Sequence, residues 1–126
     1  EAVIPIAAMV HRVQTTDGHL VSVHVRPKRP ASIGAVKEAW AEWSVRRALA
    51  LPSAPREPLV YLDLPDRPQT RLDRDLGAGM TTSLGRLRPS VDGGFRFVCL
   101  SHNTIRGAAG AALLNAELLK VRGYLQ

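Results

Sequence analysis

Apolar and polar positions alternate along the first part of the chain in the way typical of β-strands. Residues 2–10 are mostly small or β-branched apolar residues, and within 13–25 three valines recur at every second position with polar residues between them. Side chains two positions apart lie on the same face of a strand, so the pattern predicts two strands. The Thr-Thr-Asp-Gly sequence at 15–18 is expected to join them as a hairpin, because Asp-Gly supplies the positive φ of a tight turn. His19 is then expected at the end of the turn, a position at which a side chain can be held firmly.

The spacing of apolar residues becomes helical after the proline-rich break at 27–30. Ser32 is a suitable N-cap for a helix that runs to about residue 50. Its apolar side chains recur near every 3.6 residues and are expected to pack on the sheet. They are Ile33, Val36, Trp40, Trp43 and Leu51.

The middle of the chain returns to extended structure. Five prolines within 52–68 force an extended connection, which contains a short apolar strand at 59–62. A loop of this length is usually functional or interfacial. Residues 80–87 and 95–100 predict two more strands, divided by a turn at 89–94.

The chain closes with a helix over 104–122, which Gly123 ends as a C′ residue. The elements together predict one α+β domain spanning 1–126, with helices covering one face of a mixed or mainly antiparallel sheet. Several apolar side chains of the last helix need a partner in the domain, a second subunit or another segment. They are Ala111, Leu113, Leu114, Leu118 and Val121.

Composition narrows the classes of partner. The 126 residues carry a formal net charge of +6, which favours nucleic acid, an anionic membrane surface or a negatively charged small substrate. Basic residues are scattered and only two Phe, two Tyr and two Trp are present, which argues against nucleic-acid binding. No apolar run approaches the ~18 residues of a membrane span, and no signal peptide is visible. The single cysteine rules out an internal disulfide and favours a reducing compartment. Together with the absence of a predicted membrane span and signal peptide, this leads us to expect a soluble, cytoplasmic protein with no membrane partner.

Arg12 and His19 form a pair with recognisable chemistry. A guanidinium can hold a carboxylate through two parallel hydrogen bonds, and an imidazole can pass a proton near neutral pH. An exposed strand arginine beside a turn histidine explains the residue types equally well. His11 and His24 lack partners at metal-ligand spacing, so no metal site is predicted.

Cys99 is interpreted as an inert side chain. Strand alternation places it on one face with Phe95 and Phe97, where a buried cysteine behaves as a small hydrophobe with a raised pKa. The nearby His102 follows at a spacing that does not ensure contact across a strand end.

The Arg/Asp cluster at 67–75 ordinarily reads as a solvated or interface salt-bridge network. A phosphate or substrate role for Arg71 or Arg74 is the alternative.

Several segments carry a family resemblance. Residues 12–19, Arg-Val-Gln-Thr-Thr-Asp-Gly-His, follow the frame Arg-Val-x-Val-x-Asp-Gly-His except at Thr15, and keep the arginine and the histidine seven positions apart. Residues 67–75 look like a proline-arginine-aspartate loop, residues 79–88 look like the strand after it, and the Ser-His-Asn-Thr-Ile-Arg-Gly-Ala-Ala-Gly block at 101–110 matches almost without a break. Over nearly its whole length the chain resembles the aspartate-semialdehyde dehydrogenase family in its archaeal and fungal form.

The resemblance implies a fold like the glyceraldehyde-3-phosphate dehydrogenase-like C-terminal domain, and roles for particular residues. By resemblance Arg12 binds the substrate carboxylate and His19 is the acid/base catalyst. Asn103 and Gly107 lie in the segment that the family uses beside its NADP cofactor, although a helix cap and close packing explain them as well. The helix at 104–122 docks on the nucleotide domain in the family.

The departures from the family matter equally. Leu20 and Val21 stand where the family has Thr-Glu after the histidine, and Val10 and His11 stand where it often has Cys-Asn. The chain has no Gly-x-Gly-x-x-Gly segment and no upstream segment with the catalytic cysteine. Hydride transfer by this chain alone is therefore not expected, and NADP is expected only with a nucleotide-binding domain.

Three functions follow. The first is the substrate-binding and dimerisation portion of an aspartate-semialdehyde dehydrogenase-like protein, with an acidic small substrate and either a homodimer or a nucleotide-binding domain as partner. The second is a cofactor-free isomerase, cyclase or lyase in which Arg12 holds an acidic substrate and His19 moves a proton. The third is a noncatalytic dimerisation module.

Overall fold

Four strands form one mixed sheet in the computed structural model, which describes residues 5–47 and 50–125. The elements are β1 (His19–Val25), α1 (Ile33–Arg47), β2 (Leu59–Leu62), α2 (Thr70–Asp73), β3 (Thr82–Pro89), β4 (Phe95–Ser101), a π-helical turn (Ile105–Ala109) and α3 (Gly110–Val121). The strand order is β1-β4-β3-β2, with β2 and β3 parallel and the other two pairs antiparallel. This is the mixed α+β architecture that the sequence predicts.

The predicted N-terminal hairpin is wrong. Residues 5–10 are exposed and contain no strand, while residues 2–4 lie outside the described residues. Gly18 keeps a positive φ of 96°, but its N–H donates to the Asn103 side chain rather than across a hairpin. β1 pairs instead with the distant β4, because a β-rich segment forms a strand only where a neighbouring strand accepts it.

Helix α1 begins as predicted and covers one face of the sheet. The Ser32 hydroxyl accepts a hydrogen bond from the Ala35 N–H at 3.1 Å, which is the geometry of an N-cap. Trp40 stacks on Tyr61 with ring centroids 5.8 Å apart and meets Phe97 edge-on at 5.0 Å. The apolar face predicted from the helical period is therefore only partly buried, since its second tryptophan is 43% exposed.

Several element boundaries differ from the prediction. Helix α1 runs to Arg47, residue 50 is not helical, and residues 48–49 lie outside the described residues. β3 begins two residues late, since the preceding turn holds three consecutive residues at positive φ, Gly77, Ala78 and Gly79. The four-residue helix α2 is absent from the prediction.

The last helix opens with a π-helical turn. The Gly107 N–H donates to the His102 carbonyl at 2.9 Å, and the Ala109 N–H donates to the Thr104 carbonyl at 3.2 Å. Both bonds span five residues, which is the π pattern. The helix ends near the predicted point, where Gly123 has a φ of 77°, as a C′ residue requires.

Helix α3 leaves much of its apolar surface uncovered. Leu113 is 55% exposed and Val121 is 73% exposed. Glu117 anchors the helix, because its carboxylate accepts hydrogen bonds from the Ser53 N–H at 3.0 Å and the Ser53 hydroxyl at 2.7 Å. None of the described helices is long and apolar enough to cross a membrane.

The loop that carries α2 covers part of the other face of the sheet. Leu100 is 1% exposed. It lies on the same face as Gly85, because the pairs Leu100–Ser83 and Val98–Gly85 are two positions apart in the β3–β4 ladder. The backbone of Arg67 and the ring of Pro68 press directly on Gly85. The loop is thereby held against the centre of the sheet.

This close approach leads to a stability prediction for two glycines. A Cβ at Gly85 would overlap the Arg67 carbonyl and lie 2.8 Å from Pro68 Cδ, so Gly85→Ala should lower the free energy of unfolding by about 1–3 kcal/mol. The matched control is Gly34, an exposed residue of α1. There an added Cβ would meet only Ser32 Oγ at 3.8 Å. Gly34→Ala should stabilise the helix by about 0.5–1 kcal/mol. Urea unfolding of both variants measures the difference, and an equal effect of the two changes would contradict the packing described.

Candidate functional site

The pairing of β1 with β4 brings His19 beside the Ser-His-Asn-Thr block. His19 is the first residue of β1 and lies opposite Ser101 at the end of β4. Two residues beyond Ser101, the Asn103 side-chain oxygen accepts a hydrogen bond of 2.7 Å from the Gly18 N–H. Two of the predicted site residues, 84 positions apart in the chain, are therefore neighbours.

Gly18 is the point on which the turn before His19 rests. It is buried, with a positive φ of 96°. An added Cβ would lie 3.2 Å from both Leu100 Cδ1 and Thr70 Cγ2, and 3.4 Å from Arg74 Cβ. The turn therefore needs glycine both for its backbone conformation and for its close approach to β4 and α2.

Arg74 is a second residue that holds this turn in place. Its Nη1 donates to the Thr16 hydroxyl at 2.6 Å and lies 3.5 Å from the Asp17 carbonyl oxygen. Its Nε lies 3.5 Å from the Asp75 carboxylate. The sequence suggested phosphate or substrate as a ligand for Arg74, whereas the structure commits its guanidinium to the turn before His19.

His102 organises the start of the last helix. It is 6% exposed, and its Nδ1 lies 3.2 Å from the Thr104 hydroxyl and accepts a long hydrogen bond of 3.4 Å from the Ile105 N–H. Its Nε2 lies 3.6 Å from the Asp75 carboxylate. Thr104 occupies the N-cap position without a side-chain cap hydrogen bond, and Asn103, for which the sequence offers a helix cap as one explanation, binds Gly18 instead.

No hydrogen bond or ion pair among the described residues brings Arg12 to His19. Arg12 lies in an exposed segment without helix or strand. No hydrogen bond or ion pair joins its side chain to another of the residues in 5–47 and 50–125. Gly107 is exposed within the π-helical turn. The substrate-binding assignment of Arg12 and the cofactor-proximal assignment of Gly107 remain predictions.

The Arg/Asp cluster is largely structural, and one of its members is buried. Asp73 is 1% exposed and accepts a two-pronged hydrogen bond from the Arg67 guanidinium, with the Nε contact at 2.7 Å. The Gln69 N–H donates to the same carboxylate at 2.7 Å. Hydrogen bonding by Arg67 lowers the pKa of Asp73, although burial acts in the opposite direction. The salt-bridge interpretation is confirmed, but the expectation of a solvated network is wrong at Asp73.

Cys99 is half-buried, and burial raises the pKa of its thiol. This agrees with its interpretation as an inert side chain rather than a nucleophile. No group of three His, Cys, Asp or Glu side chains within the described part of the chain is arranged to hold a metal ion.

His24 and Asp92 tie β1 to the turn between β3 and β4. The imidazole Nε2 lies 3.1 Å from the Asp92 carboxylate. The hydrogen bond from His24, followed by one from Ser90, lowers the pKa of Asp92 to about 2. The interaction is therefore complete above the ordinary pKa of 3.8 and is lost as the pH falls through about 2.

His24→Ala should raise the pH midpoint of the Asp92 carboxylate toward its ordinary value, because the largest cause of the shift is removed. Carbon-13 NMR of the Asp92 carboxylate measures this midpoint directly. A midpoint unchanged by His24→Ala would contradict the pairing, and Asp66, which is exposed and has a different partner, Gln69, serves as an internal reference.

A cavity of about 150 Å³ between α1, the 54–58 loop and α3 lies apart from these residues. Its lining is mainly apolar and includes Trp43, Met80 and Leu114. His19 itself is exposed. The acid/base candidate thus stands on an open surface, where nothing in the described part of the chain excludes water from it.

A family model described as "Semialdehyde dehydrogenase, dimerisation domain" matches residues 1–106. The chain belongs to this family. It is similar to the aspartate-semialdehyde dehydrogenase of Aspergillus fumigatus, with 47% identity over 97% of this chain and 35% of that protein. With the corresponding enzyme of Archaeoglobus fulgidus it shares 45% identity over 92% of this chain and 33% of that protein.

A solved structure of a family member shows the same fold. The aspartate semialdehyde dehydrogenase of Candida albicans, determined with NADP, superposes with a TM-score of 0.74 and 45% identity. The match covers 86% of this chain and 31% of that chain. The dimerisation-domain chain spans about one third of the length of the relatives it matches, and the predicted family membership is confirmed.

The sequence predicts His19 and Asn103 as site residues but not the contacts that bring their segments together. The Asn103 contact with Gly18 spans 85 positions, and the Arg74 contact with Thr16 spans 58. Neither carries a local sequence signal.

Proposed function

We propose that this chain supplies the substrate-binding and dimerisation surfaces of an aspartate-semialdehyde dehydrogenase. His19 acts as the acid/base group and Arg12 holds the carboxylate of the substrate. The observation that carries the proposal is the 2.7 Å hydrogen bond from the Gly18 N–H to Asn103. It ties the residue before the acid/base candidate to the segment proposed to lie beside the cofactor.

The chemistry assigned to His19 is proton transfer. In the complete reaction a cysteine from another part of the protein adds to the aldehyde, and phosphate later releases the acyl group as aspartyl phosphate. A proton must leave the hydroxyl oxygen of the hemithioacetal as its carbon is oxidised. An imidazole whose backbone is fixed at the end of a strand is suited to accept that proton.

The described residues are compatible with a dinucleotide close by. NADP, when bound, accepts the hydride. The Asn103 oxygen is occupied by Gly18, and its amide nitrogen makes no hydrogen bond among the described residues, so it can donate to a carbonyl of a ligand. Gly107 is exposed and adds no side chain to the surface. The nucleotide itself requires a glycine-rich fold that these residues do not provide.

Arg12 can hold a carboxylate because its guanidinium is free of internal partners among the described residues. Two parallel N–H donors match the two oxygens of a carboxylate, which fixes the orientation of the substrate as well as binding it. The exposed segment that carries Arg12 leads directly into the turn before His19. The role requires a substrate that extends from its carboxylate at Arg12 to the imidazole of His19, seven positions further along the chain.

A homodimer is the partner that we propose for the sheet. β1 lies at one edge of the sheet, and Leu20, Val21 and Val25 are 45–50% exposed. An apolar edge strand without a cover is a site for pairing with another chain. The dimerisation-domain family assignment supports this use of the sheet.

A chimeric enzyme tests the proposed function. This chain replaces the matching third of the Aspergillus fumigatus relative, which shares 47% identity with it. We expect NADP reduction that depends on both aspartate semialdehyde and phosphate. A folded, dimeric chimera without turnover would overturn the assignment, whereas turnover of an acidic substrate by the chain alone without cofactor would favour the isomerase, cyclase or lyase function.

A further inference from the structure

We infer that Arg74 is a positioning residue for His19. It holds the Thr16–Gly18 turn at one end while Asn103 holds it at the other. The inference rests on the acid/base role proposed for His19. It assigns to Arg74 no contact with substrate or cofactor.

The turn has two fastenings that come from different elements. Asn103, after β4, accepts the Gly18 N–H at 2.7 Å. Arg74, directly after α2, donates to the Thr16 hydroxyl at 2.6 Å and reaches toward the Asp17 carbonyl oxygen at 3.5 Å. Thr16 itself is exposed. Among the described residues, the hydrogen bonds from Arg74 are the ones that link this end of the turn to the α2 loop.

Arg74 is itself held in place, which makes it suitable as a fastening. Its side chain is 23% exposed, and its Nε lies 3.5 Å from Asp75. Asp75 also lies 3.6 Å from the Nε2 of His102, the residue before Asn103. The contacts therefore close a ring that runs from the turn through Arg74, Asp75 and His102 back to the turn.

The members of this ring contribute unequally. Asp75 is 70% exposed, and both of its contacts exceed hydrogen-bond length, so solvent screens them strongly. The Arg74–Thr16 contact is short and charge-assisted. Arg74 is consequently the member whose removal should release the turn, while Asp75 mainly orients the guanidinium.

Positioning has a kinetic consequence that general stabilisation does not have. A proton acceptor must lie at hydrogen-bond distance from the reacting oxygen, and a misplacement of about 1 Å can cost on the order of 100-fold in rate. The turn precedes His19 directly, so its position sets the start of the strand that carries the imidazole. Loosening the turn should lower kcat and leave substrate binding by Arg12 intact.

The first test measures the turn in this chain without turnover. In Arg74→Gln, amide hydrogen exchange at Gly18 should be about 10-fold faster, and the His19 imidazole signals should broaden or multiply. The matched control is Arg71→Gln, which removes an exposed arginine three positions earlier and should change neither readout. Unchanged exchange and imidazole signals in a folded Arg74→Gln protein would overturn the inference.

The second test uses the chimera described above. Arg74→Gln should lower kcat by about 10- to 100-fold and keep KM within about 3-fold. Arg74→Lys should recover part of kcat because it keeps the positive charge and N–H donors at this position. A rise in KM alone would show that Arg74 binds substrate and would overturn a positioning role. An inactive wild-type chimera would count against the proposed function, while the exchange measurement would still decide whether Arg74 holds the turn.

A second variant keeps the inference testable if Arg74→Gln does not fold. Thr16→Val removes the same hydrogen bond from its exposed side and leaves the α2 loop untouched. It should reproduce the faster Gly18 exchange and the lower kcat of Arg74→Gln. Wild-type values for Thr16→Val in both measurements would overturn the inference even if Arg74→Gln failed to fold.

Discussion

Replacing Asp73 with alanine is expected to lower the free energy of unfolding by about 3–5 kcal/mol. The Asp73 carboxylate is 1% exposed and is shared by the Arg67 guanidinium and the Gln69 N–H. Its removal leaves the Arg67 guanidinium, whose side chain is 25% exposed, without its carboxylate partner. The Gln69 N–H also loses its acceptor. The same loop presses on Gly85, so its cover over the sheet should loosen as well.

Urea unfolding with a matched control checks this expectation. Asp66 lies in the same loop but is exposed, and its carboxylate accepts a hydrogen bond from the Gln69 side chain at 3.0 Å. Asp66→Ala should cost no more than about 1 kcal/mol. Similar effects of the two substitutions would contradict the buried character of the Asp73 pair.

The pH dependence of stability should carry the signature of Asp73. The hydrogen bond from Arg67, the largest cause, lowers the pKa of Asp73 in the folded state below the ordinary 3.8. A depressed folded pKa means that this contribution is fully present above the ordinary value and is lost as the pH falls through the lowered one. Asp73→Asn should remove this loss of unfolding free energy at acidic pH. If the free energy of unfolding of Asp73→Asn fell with decreasing pH as in the wild type, the assigned role of Asp73 would be contradicted.

Replacing His19 with glutamine in the chimera is expected to lower kcat by about 100- to 10,000-fold, with little change in KM. Glutamine keeps hydrogen-bonding capacity but cannot act as an acid or base near neutral pH, so the loss should appear in the chemical step.

Arg12→Gln should instead raise KM by about 10- to 100-fold, since two charge-assisted hydrogen bonds to a carboxylate are lost. Steady-state kinetics separates the two effects.

His24 provides the control for His19. It is an exposed histidine on the same strand, and its imidazole is paired with Asp92. His24→Gln should leave kcat and KM unchanged. If His19→Gln and His24→Gln behaved alike, the acid/base assignment would fail, and an unchanged KM for Arg12→Gln would contradict its role in binding.

Local sequence patterns were sufficient for elements whose signals come from neighbouring residues. Ser32 marks the start of α1 because its own hydroxyl caps the helix. Gly123 marks the end of α3 because only glycine readily takes its φ of 77°. The strand at Leu59–Leu62 was recognised between prolines, since prolines limit where regular pairing can continue.

Prediction failed where a segment needed a partner from elsewhere in the chain. Residues 2–10 have the composition of a strand, yet the described residues 5–10 pair with nothing in the sheet. Asp73 has the sequence context of a surface acid, and only the packing of the α2 loop buries it. Its hydrogen-bond partners Arg67 and Gln69 are near in sequence, but its burial requires that this loop pack against Gly85 of the distant strand β3.

For the candidate site, the sequence by itself determined which chemical groups are present: the arginine and histidine seven positions apart, and the Ser-His-Asn-Thr block that resembles the family. Only the tertiary structure decided that Asn103 accepts the Gly18 N–H and that Arg74 binds Thr16. Residue types set what each side chain can donate or accept. Contacts between residues 58 and 85 positions apart depend on strand pairing and loop packing, which no local pattern encodes.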